Sequence, residues 1–257
     1  MASGTSISTY GRDAFSAGSV LREKGSNKVS LIIPAANEEH TIRAVVEQML
    51  VHRATGLIDE IIVVDDGSTD DTATQASVDG VRVHSLAQRV GKGGAMAAGV
   101  EASCGDLLVF LDGDVWGSID HYLPSLVGPL LLESSTQLVK GFYDRPLGDM
   151  PHGGGRVTAL AAQPILRLLF PELSGMRQPL AGETAIRRSA LDKVGFASGY
   201  QVELALLIDV GEVFGPSAIA EVDLGIRVHR NRPLSELSPM ATEVLRVALE
   251  RRGLLEH

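Results

Sequence analysis

The chain has 257 residues, of which 44% are hydrophobic and 21% are charged, proportions that are ordinary for a globular protein. Its formal net charge of -9 argues against general affinity for nucleic acids or anionic membranes, because both require broad basic patches. No apolar run approaches the ~20 residues of a membrane-spanning helix, and the single cysteine, Cys104, excludes an internal disulfide. We therefore expect a cytoplasmic protein with no stable membrane insertion, in which any phosphate site is local.

The N-terminal segment is rich in serine and glycine and lacks the apolar core of a secretory signal. We expect residues 1–27 to form a flexible leader with a short helix around residues 14–24. The folded part of the chain is then expected to begin near residue 28.

Strand and helix patterns alternate between residues 28 and 130. Apolar runs predict strands at 29–34, 58–64, 81–85 and 107–111, and helices are predicted at 41–51 and 91–102. Such alternation is typical of a parallel α/β sheet with right-handed crossovers.

The strand predicted at residues 107–111 runs directly into Asp112-Gly113-Asp114. An uninterrupted apolar run is typical of a strand that is covered on both faces, and ligands bind at the carboxyl ends of such strands. Two carboxylates held close together repel each other unless a cation lies between them, and their oxygens suit Mg²⁺ or Mn²⁺. Gly113 leaves room for a ligand to approach. The alternative is a solvated acidic turn, since Asp-Gly is also a common turn signal.

Polar side chains follow other predicted strands as well. Those expected at the same edge of the sheet are Asn37, Glu39, Asp66 and Lys92. The residues around Lys92 resemble a phosphate-binding loop, but the P-loop spacing and the Rossmann pattern G-x-G-x-x-G are both absent from the sequence. ATPase, GTPase and NAD-dependent functions are therefore disfavoured. The edge is predicted to bind a polar ligand with phosphates and a metal, although each turn could also be a helix cap.

The C-terminal half contains a second candidate anion site. A predicted strand at 138–147 is followed by three glycines ending at Gly155, by Arg156 and Thr158, and by a predicted helix at 159–169. Glycines before a helix N-terminus expose backbone N–H groups to an anion, and an arginine adds a bidentate donor for phosphate or carboxylate. A flexible loop with a solvated arginine is the alternative interpretation.

The end of the chain contains a charged cluster. Residues 178–183 precede a predicted helix that carries Arg187 and Arg188. Further helices are predicted at 204–210 and 240–255, and a last strand is predicted at 218–222. His229 stands among Arg230, Asn231 and Arg232. A lone histidine is most often a packing or surface residue, but such a cluster has little use in a core. These residues are therefore candidates for a ligand site.

Several motifs occur in the order found in one known family. Pro-Ala-Ala-Asn-Glu-Glu at 34–39, Asp-Asp-Gly-Ser at 65–68, Gly-Lys-Gly at 91–93 and Asp-Gly-Asp at 112–114 resemble the nucleotide-sugar half of GT-A glycosyltransferases. Lys-Gly-Phe-Tyr at 140–143, Gly-Gly-Gly-Arg-Val-Thr at 153–158 and Gln-Pro-Leu-Ala-Gly-Glu at 178–183 resemble the glucosyl-3-phosphoglycerate synthases, which are retaining GT-A enzymes. The resemblance implies an α/β GT-A fold, with a Rossmann-like, mostly parallel central sheet flanked by helices and an acceptor-binding C-terminal part.

The resemblance also implies roles for individual residues. The metal, Mg²⁺ or Mn²⁺, would be bound by Asp114 and His229. The positions implied for the donor are Pro34, Ala35, Asn37, Glu39, Asp66, Lys92, Asp112 and Gly113. Those implied for the acceptor are Gly155, Arg156, Thr158, Arg230 and Asn231. The reacting centre would be formed by Asp114, Lys92 and Glu203, with Leu180, Ala181 and Gly182 as its wall.

The implied function is metal-dependent, retaining transfer of a hexose from a nucleotide sugar, UDP-glucose, to a small anionic acceptor such as 3-phosphoglycerate, by a homodimer. Residues 28–130 would bind the nucleotide sugar, and residues 131–257 would bind the acceptor and complete the metal site of the same domain. Gly113 replaces the usual serine of the family, and Gln201 replaces a common glycine. Because these positions belong to the donor and acceptor walls, a different small acceptor is the first alternative.

Three other functions are disfavoured by specific features. A nucleotidyltransferase would carry a glycine-rich basic loop after the first strand, whereas residues 34–39 are acidic and contain no glycine. A non-catalytic sugar-nucleotide-binding protein would have no need for Asp112, Asp114 and His229 together. A polyprenyl-phosphate glycosyltransferase would be expected to have a basic amphipathic or spanning segment, and none is evident in the sequence.

Overall fold

The computed structural model of the chain describes residues 6–144, 155–196, 202–227 and 234–255. The strands in these ranges are β1 (Ser8–Tyr10), β2 (Val29–Ala35), β3 (Glu60–Asp65), β4 (Val81–Ser85), β5 (Leu107–Phe110), β6 (Leu138–Asp144), β7 (Thr184–Arg187) and β8 (Ile219–Ile226). The α-helices are α1 (Ala17–Glu23), α2 (Ile42–Ala54), α3 (Thr72–Ala76), α4 (Lys92–Ala102), α5 (Tyr122–Leu132), α6 (Gln163–Leu169), α7 (Arg188–Val194), α8 (Val202–Phe214) and α9 (Leu234–Arg251). A π-helical turn, Thr158–Ala162, runs directly into α6.

All these strands belong to one sheet, in the order β1-β8-β6-β7-β5-β2-β3-β4. Neighbouring strands are parallel except at β7, which runs antiparallel to both β5 and β6. The predicted α/β fold with a mostly parallel central sheet flanked by helices is confirmed. The strand β7 is a difference, because the sequence predicts a helix directly after residue 183. Its four residues, Thr-Ala-Ile-Arg, are too few and too mixed to display a strand pattern.

The central strands are apolar on both of their faces. In β2, Leu31 and Ile33 belong to one apolar cluster and Ile32 belongs to a second one on the opposite side of the sheet. Ile32 stands opposite Ile62 on β3 and Phe110 on β5 in the parallel register. This arrangement explains the uninterrupted apolar runs in the sequence, and it brings the carboxyl ends of the three strands together.

The polar segments expected at one edge of the sheet follow these three strands and β4. The strand β5 ends at Phe110, so that Asp112 and Asp114 lie in the turn beyond it. Lys92 is the first residue of α4, which begins after Gly91. Gly91 has a φ of 83°, a left-handed conformation that glycine adopts without strain.

Part of the segment expected to be a flexible leader forms regular structure. The strand β1 pairs in parallel with β8, with Thr9 opposite Glu221. The short helix expected near residues 14–24 is present as α1, and Ser16 caps its N-terminus together with Ser19. Val20 of this helix is fully buried. The N-terminal segment therefore adds an edge strand next to β8, the strand that leads to the charged cluster at 229–232.

The C-terminal elements are longer than predicted. The helix predicted at 204–210 extends to the full length of α8, and the one predicted at 240–255 is α9, which begins at residue 234 and ends at residue 251. Among the residues that the structure describes, no helix is both long and apolar enough to cross a membrane.

Candidate active site

A cavity of about 320 Å³ lies where β2, β3 and β5 end. It is lined by most of the residues that the sequence patterns assign to the site: Pro34, Ala35, Asp66, Lys92, Asp112, Gly113, Asp114, Gly155, Arg156, Thr158, Leu180, Gly182 and Glu203. The structure therefore brings the predicted donor and acceptor segments to one cavity, of a size that suits a small-molecule site.

The acidic pair is held by two basic side chains. The Lys92 Nζ lies 2.6 Å from Asp112 Oδ1 and also 2.6 Å from Glu203 Oε1. The Arg227 guanidinium lies 3.1 Å from Asp112 Oδ2 and 2.6 Å from Asp114 Oδ1. Although burial acts to raise it, the pKa of Asp112 is held well below its usual range by Lys92 and Arg227. Asp112 is therefore a firmly ionised group fixed between two cations.

Arg227 also contacts a carboxylate in the protein interior. It forms an ion pair with the fully buried Glu183 and donates a hydrogen bond to the Tyr143 hydroxyl oxygen at 2.9 Å. Its guanidinium lies 5.2 Å from the centre of the Tyr143 ring. Burial raises the pKa of Glu183, and the charge of Arg227 opposes that rise. Arg227 thus connects the acidic pair to the interior, a role that the sequence did not predict.

We expect Arg227→Met to destabilise the protein by about 3–5 kcal/mol, because it leaves Glu183 buried without its ionic partner. The free energy of unfolding, measured with urea, checks this. Arg43→Met is the control, since Arg43 and Glu47 form an exposed pair on α2 and such pairs contribute about 0.5 kcal/mol or less. Similar losses in the two variants would contradict a structural role for the Arg227 pair.

Asp66 connects the end of β3 to the start of α4. Its carboxylate accepts hydrogen bonds from the backbone N–H groups of Val90 at 2.7 Å and Gly91 at 3.0 Å. The side chain lies at the cavity but is almost completely buried. Asp66 therefore shapes the turn that presents Lys92.

Two of the predicted nucleotide ligands do not line the cavity. The Asn37 side chain accepts a hydrogen bond from the Thr69 backbone N–H at 2.9 Å, and Glu39 Oε2 accepts one from the Asp71 N–H at 3.1 Å. Both side chains therefore connect the loop after β2 to the loop after β3. Glu38, which the sequence patterns did not single out, lines the cavity instead.

Glu38 is a carboxylate with an altered proton affinity. Its pKa is raised to about 7, mainly by burial and then by the charges of Asp114 and Asp112. The folded protein therefore holds this proton more tightly than the unfolded chain does. The stabilising contribution of Glu38 is complete below pH 4.5, near the ordinary pKa of a glutamate, and is lost as the pH rises through about 7.

We accordingly expect Glu38→Gln to raise the free energy of unfolding of the ligand-free protein above the wild-type value. This gain should be larger at pH 8 than at pH 4.5 by roughly 1–2 kcal/mol, after allowance for partial exposure. Denaturant unfolding of both proteins at the two pH values measures this difference. Glu47→Gln, at an exposed position on α2, is the control. A difference that does not change with pH would show that Glu38 is solvated like an ordinary surface carboxylate.

The predicted acceptor segment lines the same cavity. Gly155 has a φ of 75° and its carbonyl oxygen accepts a hydrogen bond from the Ala159 N–H at 3.0 Å, so the helical turn begins here. Arg156 and Thr158 follow at the cavity. The predicted combination of glycine, arginine and a helix start is therefore present, and it lines the same cavity as the acidic pair.

The loop before β7 forms a further wall. Leu180 and Gly182 line the cavity, whereas Ala181 is buried behind them. A Cβ at position 182 would lie 2.4 Å from Asp112 Oδ1 and 2.6 Å from Lys92 Nζ. A larger residue at this position would therefore require the charged ends of Asp112 and Lys92 to shift.

His229, Arg230 and Asn231 lie outside the described residues, as does Gln201. Within the described ranges, no three histidine, cysteine or acidic side chains are arranged to hold a metal ion. Arg227, two residues before His229, is placed at Asp114.

Comparison with known proteins identifies the family of this chain. Residues 30–195 match the model of Glycosyl transferase family 2. A glucosyl-3-phosphoglycerate synthase from Mycobacterium tuberculosis (strain CDC 1551 / Oshkosh) is 44% identical over 260 residues, which cover 96% of this chain and 80% of that protein. One from Petrotoga mobilis (strain DSM 10674 / SJ95) is 41% identical over 244 residues, covering 90% of this chain and 75% of that protein.

Solved structures are similar over the same extent. A crystal structure of glucosyl-3-phosphoglycerate synthase from Mycobacterium tuberculosis with Mn²⁺, UDP-glucose and phosphoglyceric acid has a TM-score of 0.90 at 42% identity, covering 97% of this chain and 89% of that chain. Another, with Mg²⁺ and UDP, has a TM-score of 0.89 at 42% identity, covering 97% and 88%. The chain therefore belongs to Glycosyl transferase family 2 and, within it, to the glucosyl-3-phosphoglycerate synthase family.

Proposed function

We propose that this chain transfers glucose from UDP-glucose to 3-phosphoglycerate with the help of Mg²⁺ or Mn²⁺. The observation that carries the proposal is one cavity lined both by the acidic pair with Lys92 and by Gly155, Arg156 and Thr158. The first group suits a diphosphate and its metal, and the second suits a phosphorylated or carboxylated acceptor. A related structure contains Mn²⁺, UDP-glucose and phosphoglyceric acid, which supports these two classes of ligand.

The charges at the cavity suit a divalent cation. Among the described residues of the ion-pair network, four carboxylates meet two basic groups: Asp112, Asp114, Glu183 and Glu203 against Lys92 and Arg227. Asp114 is more accessible than Asp112, with 45% of its side chain exposed. We infer that Asp112 and Asp114 act as a D-x-D motif and that Asp114 and His229 bind the cation. When bound, the cation would stabilise the charge of the departing UDP as a Lewis acid.

The donor would lie along the strand ends. Lys92 lies where the diphosphate is expected and adds positive charge there. Glu203, which contacts Lys92, would accept hydrogen bonds from hydroxyls of the sugar. Leu180 and Gly182 would close the space beside the anomeric carbon. Excluding water there limits hydrolysis of the nucleotide sugar.

The acceptor would be held by the segment that begins at Gly155. The backbone N–H groups after Gly155 and the Arg156 guanidinium would bind its phosphate or carboxylate, with Asn231 and Arg230 as further predicted contacts. Fixing both reactants in one cavity places the acceptor hydroxyl near the anomeric carbon, and positioning of this kind can supply much of the rate enhancement.

We infer that the reaction retains the anomeric configuration. The acceptor hydroxyl oxygen would form its bond to the anomeric carbon on the face from which UDP departs, while the bond from that carbon to the diphosphate oxygen breaks. The hydroxyl proton would pass to the leaving phosphate. A homodimeric state stays a prediction of the family resemblance, and a cytoplasmic location stays a prediction from the cysteine content.

Product analysis tests the function. The purified protein is incubated with UDP-glucose or another nucleotide sugar, with 3-phosphoglycerate, glycerate or glycerol 3-phosphate, and with Mn²⁺ or EDTA. We expect mass spectrometry to show a hexosyl adduct of 3-phosphoglycerate, formed fastest from UDP-glucose and suppressed by EDTA, with the α configuration by NMR. Release of glucose without an adduct, or an adduct formed equally well in EDTA, would contradict the proposal.

A further inference from the structure

A row of buried polar side chains crosses three neighbouring strands behind the cavity. Lys140 on β6 stands opposite Glu221 on β8 and opposite Thr184 on β7 in the register of the sheet. Each of the three residues is only 1% exposed. Buried charges are costly unless they are paired or hydrogen-bonded, so the partners of this row indicate its function.

The partners are backbone groups of the loop formed by residues 177–183. The Glu221 Oε1 accepts hydrogen bonds from the N–H groups of Arg177 at 2.8 Å and Gln178 at 3.4 Å. The Lys140 Nζ donates to the Ala181 carbonyl oxygen at 2.8 Å. The row therefore holds the loop at its beginning and near its end from inside the protein.

The same loop forms the wall next to the ion pairs. Leu180 and Gly182 line the cavity. They flank Ala181, whose carbonyl oxygen accepts the hydrogen bond from Lys140. A Cβ at position 182 would lie only 2.4 Å from Asp112 Oδ1 and 2.6 Å from Lys92 Nζ, so the loop has little space to move towards these side chains. Movement in the other direction is opposed by the hydrogen bonds from the buried row.

We propose that Lys140 and Glu221 are positioning residues for glucosyl transfer, which clamp the backbone of residues 177–183 and so fix Leu180 and Gly182 beside the reacting centre. The inference rests on the proposed function. Neither Lys140 nor Glu221 is among the residues that line the cavity, so their effect on the substrates passes through the loop. A displacement of about 1 Å at a reacting centre can cost about 100-fold in rate, which makes the clamp measurable.

The test compares Glu221→Leu with Glu221→Gln, because glutamine keeps an acceptor oxygen and leucine does not. We expect Glu221→Leu to lower kcat by about tenfold or more while the Kd of UDP with Mn²⁺ changes by less than about twofold, since the nucleotide side of the cavity is formed by other loops. Glu221→Gln should recover most of this loss. Lys140→Met, which releases the other end of the loop, should resemble Glu221→Leu.

The following results would overturn the inference. Wild-type kcat in Glu221→Leu and Lys140→Met, or equal losses in the leucine and glutamine variants, would remove the positioning role. Should these variants fail to fold, hydrogen exchange of the wild-type protein decides: the N–H groups of Arg177 and Gln178 should be protected, and free exchange there would contradict the clamp. If the wild-type protein itself forms no glucosyl adduct, the proposed function fails instead.

Discussion

Asp114→Ala should reduce glucosyl transfer by about 10³-fold or more while the protein stays folded. Asp114 is the carboxylate of the acidic pair that is most open to the cavity, and its loss should remove a ligand of the cation that stabilises the departing UDP. The initial rate of adduct formation at saturating UDP-glucose and Mn²⁺ measures the effect, and circular dichroism checks the fold.

Two variants separate the loss of the metal ligand from other causes. Asp114→Asn keeps an oxygen that can accept the hydrogen bond from Arg227 at a nearly unchanged shape, so its fold should be intact and its rate should still fall strongly. Asp79→Ala removes an exposed aspartate that is not among the residues lining the cavity and should leave the rate unchanged. Near-normal turnover in Asp114→Ala would exclude the acidic pair as the metal site.

Arg156→Ala should weaken binding of the phosphoglycerate acceptor, raising its Michaelis constant by about 10- to 100-fold, with little change in the affinity for UDP. A hydrogen bond to a charged group contributes about 1.5–3 kcal/mol, which corresponds to this range of affinity. Steady-state kinetics with each substrate varied in turn, together with titration of UDP, measures the two effects separately.

Arg156→Lys is the matched control, because lysine keeps the charge but loses the planar pair of donors. It should retain part of the acceptor affinity and all of the donor affinity. A drop in donor affinity alone, in either variant, would mean that Gly155 and Arg156 belong to the donor side of the cavity.

The parts of the site that could be predicted are those with a local signal. Asp112, Asp114 and Lys92 follow strands or begin a helix, and parallel strands place such positions at one edge whatever the rest of the fold does. Arg156 follows a glycine at a helix start, which is also a local pattern. For these residues the alternation of strands and helices was sufficient.

The parts that could not be predicted depend on distant pairing. Arg227 meets Asp112 across 115 residues of sequence, and an arginine after a strand gives no sign of such a partner. Lys140 lies in an apolar run, but its burial depends on the position of β6 between β7 and β8. Sheet order of this kind is set by tertiary packing, so the role of such a residue stays hidden in the sequence.

The direction of side chains in a loop was a second feature that could not be predicted from the sequence. Glu38 and Glu39 are adjacent carboxylates, and only one of them faces the cavity. Asn37, just before them, has a left-handed φ of 61°, so the chain turns at this point. No side-chain period exists in such a turn, so the sequence could not distinguish the two glutamates.

A crystal structure of this protein with UDP and Mn²⁺ tests the central claim most directly. We predict one Mn²⁺ ion bound by an Asp114 oxygen and a His229 ring nitrogen, in contact with the diphosphate, with Lys92 close to the same phosphates. An ion bound elsewhere, or a structure in which Asp114 and His229 lie well apart with no ion between them, would contradict the proposed mechanism.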